Sequence, residues 1–163
     1  MLKIGHTAVD GISGHEAGRR LLVQMYRQET GHAPPDIVLL PRGKPHFVGD
    51  PLYFSISHTP RHVFCALSDR PVGIDAEELD RPIKAALAEK ILSPAEYRRF
   101  CLCSDRRLAL LRFWVLKEAL VKCGGQGLRG YPNHTDFHPD DPRIQIRDGC
   151  LVAVIQQEEP HAF

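Results

Sequence analysis

Three short segments of this 163-residue chain carry side chains with chemistry to offer. The first is Gly73-Ile74-Asp75-Ala76-Glu77, which ends an apolar run. In a strand, residues i and i+2 share a face, so Asp75 and Glu77 project together. Two adjacent carboxylates repel unless a cation lies between them, and Mg²⁺ typically takes one or two carboxylates plus phosphates and waters. A solvated strand end reads the same way, since Glu78 and Asp80 follow. The second segment is FWVLKEALVK (113–122), where Trp114, Glu118 and Lys122 fall on one helical stripe with Lys117 and Val121 beside it. A Glu→Lys pair at this spacing stabilises a surface helix by about 0.2–0.5 kcal/mol. A tryptophan on the same stripe favours a partly buried, ion-binding face instead. The residues alone leave both readings open. The third segment is FSISHTPRHVFCALS (54–68), where Ser57-His58 precedes a turn. Such a position lets side chains and backbone N–H groups converge on an anion. Lys44, after Gly43, adds a point charge suited to phosphate.

The surrounding pattern supplies elements to hold these groups. Residues 1–12 read as a short strand or an arm. Ser13 with Glu16 forms a capping box that opens a helix carrying Ala17, Leu21, Leu22, Met25 and Tyr26 on one face and ending at Gly31. DIVLL (36–40) is a short strand, broken by Arg42-Gly43-Lys44-Pro45, which begins a loop. FSIS (54–57), HVFCALS (62–68) and PVGIDAE (71–77) read as three strands joined at Thr59-Pro60 and Ser68-Asp69. Ser93-Pro94-Ala95-Glu96 is a second capping box with proline at the first helical position. A long helix runs from about Asp105 to Cys123 and is closed by Gly124-Gly125. RIQIR (143–147), Asp148-Gly149 and CLVAVI (150–155) form a hairpin. The expected fold is α+β: one domain over 1–163, in two pseudo-equivalent halves (about 1–80 and 81–163), each a helix packed on a small antiparallel sheet.

Composition bounds the function. Apolar residues make up 43% and charged residues 25%, as in soluble globular proteins, and the net charge of +1 makes any charged partner surface local. The longest apolar runs fall far short of the roughly 20 residues a membrane span needs. Five cysteines, an odd number, and no secretory pattern fit free thiols in a reducing compartment. A cytoplasmic protein without nucleic-acid or membrane partners is expected.

In order along the chain stand GKP (43–45), FSISHT (54–59), VGIDAEE (72–78), ILSPAEY (91–97) and FWVLKEALVK (113–122). This set resembles the 4′-phosphopantetheinyl transferase superfamily, and within it the Sfp-like group. The resemblance covers roughly residues 14–156; G-I-D-x-E and W-x-x-K-E-x-x-x-K are its most diagnostic parts. It implies transfer of the phosphopantetheine arm of coenzyme A to a serine of an acyl- or peptidyl-carrier protein, releasing 3′,5′-ADP. By similarity, Asp75, Glu77 and Glu118 would bind Mg²⁺ on the CoA diphosphate. Lys122 would meet the same phosphates, and Lys117 would be a second contact to phosphate or pantetheine. Lys44, Ser57 and His58 match positions that hold the nucleotide end of CoA. Asp75, Glu118 and Lys122 would be the catalytic set. Carrier proteins of this type present an acidic helix, and Arg98, Arg99, Arg106 and Arg107 could meet it, though a solvated arginine rim reads the same way.

Two departures from the family pattern stand out. Fewer residues precede Gly43 than is usual in the Sfp-like group. Family members also often carry a basic residue near Gly14 to reach the CoA 3′-phosphate; the candidates to replace it are His15, Arg19 and Arg20. Short family members trimerise, whereas the two-half pattern here suggests one site within one chain, hence a monomer. One rival reading is a zinc site at His58 and His62, or at His134, Asp136 and His138; Thr59-Pro60 argues against a helix for the first pair. Another is a non-catalytic CoA- or carrier-binding protein, which would not need the whole set of carboxylates and lysines.

Overall fold

The structure is a computed structural model that describes residues 1–41, 43–124 and 135–158. Strand β1 (Leu2–Ala8) precedes helix α1 (Gly14–Thr30), which is followed by β2 (Ile37–Leu39) and β3 (Pro45–Phe47). Then come β4 (Tyr53–His58), β5 (His62–Ser68) and β6 (Val72–Glu78). A short turn of helix leads into α2 (Ala88–Ile91), α3 (Pro94–Leu102) and α4 (Arg106–Gly124), and β7 (Ile144–Arg147) and β8 (Cys150–Gln156) complete the described fold. Among the described residues no helix is long and apolar enough to cross a membrane.

The helix boundaries follow their local signals. Ser13 Oγ accepts from the Glu16 amide at 3.1 Å, and Gly31 ends α1 in a left-handed conformation. Glu16 spends its carboxylate on Arg20 rather than on closing the box. At Ser93 the box is complete, with the Glu96 carboxylate accepting from Ser93 N at 2.8 Å. Within residues 1–12, Leu2–Ala8 form the strand rather than an arm, because β1 pairs with β5 along its whole length. Gly43, at φ 80°, turns the chain so that β3 folds back on β2 as a second strand where a loop was expected. Gly125 lies outside the described residues.

All strand pairs are antiparallel, in the orders β1-β5-β4, β2-β3 and β6-β8-β7. The expected run of three neighbouring strands is therefore divided: β6 leaves β4 and β5 and pairs with β8. The division between the two three-stranded sheets falls between Ser68 and Val72. Alternation of side chains sorts the packing. Val63, Cys65 and Leu67 of β5 join the core under α1, whereas Phe64 and Ala66 join Ile74, Ala76 and Val152 between the two three-stranded sheets. Leu151, Ala153 and Ile155 of β8 pack under α4. Burial on both faces explains why HVFCALS is almost continuously apolar.

Two features join these layers. The outer edge of β6 meets β4 through serines: Ile74 N donates to Ser55 Oγ and Ala76 N to Ser57 Oγ, each at 3.1 Å. Hydroxyls thus satisfy edge N–H groups that a strand ladder would otherwise take. On the other face of β6, Gly73 lies directly against the backbone of α4. A Cβ there would stand 1.9 Å from Ala119 O and 2.4 Å from Cys123 N.

Gly73→Ala must push α4 off β6, and overpacking of this kind costs up to about 3 kcal/mol or more. For a chain of this length that lowers Tm by roughly 6–12 °C, and thermal unfolding followed by circular dichroism checks it.

Candidate functional site

Contact at Gly73 sets the face of β6 that looks at α4, and Asp75 and Glu77 occupy the next two positions on it. Asp75 is 5% exposed. Its Oδ1 accepts from Lys122 Nζ at 2.7 Å and from Ser57 Oγ at 3.2 Å, while among the described residues Oδ2 has no hydrogen-bond partner. Burial raises the Asp75 carboxyl above the usual range; Lys122, Ser57 and Arg81 oppose that shift. Glu77 Oε1 accepts from Trp114 Nε1 at 3.0 Å and pairs with the Arg81 guanidinium, which also lies 5.7 Å over the Trp114 ring. Burial and the charge of Asp75 raise the Glu77 carboxyl, and Arg81 and Trp114 pull it back. Glu118 is half-buried on α4, one turn from Trp114 and one from Lys122.

Among the described residues no three His, Cys, Asp or Glu side chains form a group able to hold a metal ion. Asp75 and Glu77 are held instead by the chain's own donors. The donor set still suits a hard cation: Asp75 Oδ2 is a buried carboxylate oxygen without a partner among the described residues, on the same strand face as Glu77. Mg²⁺ needs only one or two carboxylates when phosphates and waters complete its shell.

Lys122 connects this pair to a cleft of about 510 Å³ between α1, β4, the β2–β3 hairpin and the last turns of α4. His15, Arg19, Lys44, His58 and Lys122 line it, a cationic rim on apolar walls. Lys44 does more than line a wall. Its Nζ donates to Cys123 O at 2.7 Å and to Val72 O at 3.4 Å, so the lysine just before β3 caps a C-terminal carbonyl of α4 and ties it to the start of β6. Burial lowers its pKa. Lys44 also borders a second cleft of about 810 Å³ on its other side. His58 rests on Gly14: a Cβ at Gly14 would lie 2.8 Å from the imidazole Cγ. A long basic side chain at Gly14 would displace His58; His15 and Arg19 line the cleft from the exposed face of α1. Arg20 instead pairs with Glu16 at 2.5 Å.

The expected residues thus separate. Lys44, His58 and Lys122 converge on one cleft, and Asp75 adjoins it through Lys122. Ser57 turns its hydroxyl inward, 5% exposed, where it serves Asp75 and Ala76 N rather than the cleft. Lys117 is 0% exposed and bonded at 2.8 Å to Glu96, also 0% exposed, so it offers no surface to a phosphate. Glu96 in turn accepts from Ser93 N and Phe137 N, fastening α3 to α4 and to the segment before β7. Arg98, Arg106 and Arg107 are exposed and Arg99 is half-buried; Arg99, Arg106 and Arg107 donate to the carbonyls of Phe137, Cys101 and Leu79. His62 meets His6 at 3.0 Å rather than His58, and Asp136 accepts from Ser93 Oγ; His134 lies outside the described residues. Arg81 was missed. Its only signal is a cationic residue just beyond the carboxylate strand.

Residues 71–158 match a family described as the 4′-phosphopantetheinyl transferase superfamily. The chain is 31% identical over 113 residues to the 4′-phosphopantetheinyl transferase gsp of Aneurinibacillus migulanus, covering 66% of this chain and 47% of that protein. It is 31% identical over 136 residues to psf-1 of Bacillus pumilus (82% and 54%) and 37% over 79 residues to Sfp of Bacillus subtilis strain 168 (47% and 34%). The chain spans about half the length of the first two of these relatives.

Because its pKa is raised in the folded state, ionised Asp75 destabilises the fold at neutral pH and ceases to do so once protonated at low pH. Asp75→Asn therefore raises Tm at pH 7. The gain over the parent protein shrinks as pH falls into the carboxylate range, measured by thermal unfolding across that range.

Proposed function

Because the chain belongs to the 4′-phosphopantetheinyl transferase superfamily, we propose that it transfers 4′-phosphopantetheine from coenzyme A to a carrier-protein serine. The observation that carries this reading is the buried, unpartnered Asp75 oxygen beside Glu77, linked by Lys122 to a cationic cleft sized for a nucleotide. Asp75 and Glu77 would hold Mg²⁺, with Glu118 as the third carboxylate. When bound, the ion supplies charge neutralisation for the CoA diphosphate.

The chain's own groups do the rest. His15, Arg19, Lys44 and His58 bind the phosphorylated nucleotide end. The serine hydroxyl attacks the β-phosphorus; the new O–P bond forms as the bond to the departing 3′,5′-ADP oxygen breaks. The Glu118 carboxylate accepts the serine proton, and the Lys122 ammonium neutralises the leaving phosphate. Ser57 holds Asp75 in place from behind. Lys117 acts from the core, as a pin between α3 and α4. The carrier meets the face carrying Arg98, and the catalytic unit is a single cytoplasmic chain, the monomer to be checked by light scattering.

Incubation with apo carrier protein, CoA and Mg²⁺ should give a carrier heavier by one phosphopantetheine group in mass spectrometry. Asp75→Ala or Glu118→Gln should lower the rate at least about 100-fold, the scale of a lost acid–base or charge-stabilising group. Full transfer by either variant rejects the assignment. No transfer to any of several carriers, with CoA binding intact, favours a non-catalytic binder. Separately, Arg98→Glu should raise the carrier KM severalfold at low salt and leave CoA affinity unchanged; an unaltered KM removes the docking face from consideration.

A further inference from the structure

The cations that meet the carboxylate pair come from the chain itself. Lys122 takes Asp75, and its place in the cleft accounts for it. Arg81 takes Glu77, and nothing in the transfer chemistry calls for it. We propose that Arg81 is a displaceable internal counter-cation, which neutralises Glu77 while the pair holds no divalent ion and withdraws when Glu77 ligates one. The inference rests on the reading of Asp75 and Glu77 as divalent-cation ligands.

Its backbone is fixed and its side chain is not. Arg81 N donates to Glu78 O at 3.0 Å, closing the turn after β6, and Arg107 Nη1 donates to Arg81 O at 3.2 Å and to Leu79 O at 2.9 Å. The Arg81 side chain is 41% exposed, against 19% for Glu77, so it can retreat toward solvent without opening the core. Trp114 supports both positions. Its ring lies under the guanidinium, and its indole N–H keeps hold of Glu77 Oε1 when the guanidinium leaves. Two carboxylates on one strand face, one of them almost fully buried, need a positive charge at all times. Arginine provides it at every physiological pH, where a lysine in this setting could lose its proton. A guanidinium on the ligand oxygen must also compete with an incoming dication, through occupancy and through like-charge repulsion. A residue that merely orients Glu77 would have the opposite effect on metal affinity.

The chain has a single tryptophan, Trp114, whose indole touches both Glu77 and Arg81. Mn²⁺ titrations of the whole protein, read by the electron spin resonance of free Mn²⁺ and by tryptophan fluorescence, need no turnover. Arg81→Ala should bind Mn²⁺ roughly tenfold more tightly than the parent, the scale of removing one nearby like charge. Arg81→Lys should lie between the two. Circular dichroism should show an unchanged fold. Equal or weaker binding by Arg81→Ala overturns the proposal and makes Arg81 an orienting residue for Glu77. The parent with Asp75→Asn separates the two layers. If the parent binds no Mn²⁺, or binds it equally after Asp75→Asn, the ligand assignment itself fails and the proposal fails with it. If only the Arg81 variants match the parent, the assignment stands and the proposal alone fails.

Discussion

Everything at the candidate site depends on how closely α4 lies on β6. Gly73 has no Cβ, so the strand meets the carbonyl of Ala119 and the amide of Cys123 directly. That approach brings the strand positions of Asp75 and Glu77 onto the helical stripe of Trp114 and Lys122. It also places the carboxylates where water cannot solvate them well, and their pKa values rise in consequence. Ionised carboxylates persist there because Lys122, Ser57, Trp114 and Arg81 surround them. The arrangement resembles a functional site more than a stabilising one, since buried charge is weak support for a fold.

Much of this was legible in the sequence because it is local. The box at Ser93, the glycine closing α1, and the Asp148-Gly149 turn with both residues at positive φ follow from residue chemistry alone. The spacings i, i+2 in β6 and i, i+4 in α4 likewise put the right groups on one face each. What the sequence left open was which face each neighbour would meet. Lys117 stands next to Glu118 in the chain, yet its ammonium is directed into the core by Glu96, a partner from another helix. Ser57 stands next to His58, but strand alternation sends one hydroxyl inward and one imidazole outward. The departure of β6 to pair with β8 was hidden for the same reason: a strand buried on both faces carries no mark of which edge it will pair along.

Lys44 shows how a cleft-lining residue and a structural one become the same residue. It lines the cleft, yet its ammonium rests on a last-turn carbonyl of the helix that carries Lys122. Anything that draws Lys44 toward a ligand is felt at the end of α4. The cleft wall at Lys44 and the helix that carries Lys122 are thereby coupled through one side chain and one helix terminus.

The serine pair between β4 and β6 has a geometric consequence of its own. Ser55 and Ser57 each take one amide of the neighbouring strand edge, two residues apart on both sides. A slip of one residue would present Phe54 and Ile56 to those amides and leave them bare, so the next permitted alignment lies a full two residues away, about 6.6–6.8 Å along the strand. His58, at the end of β4, lines the cleft, and Asp75, on β6, adjoins it through Lys122. The two hydroxyls therefore act as the graduation marks of a ruler, setting the offset between His58 and Asp75 in steps of a strand.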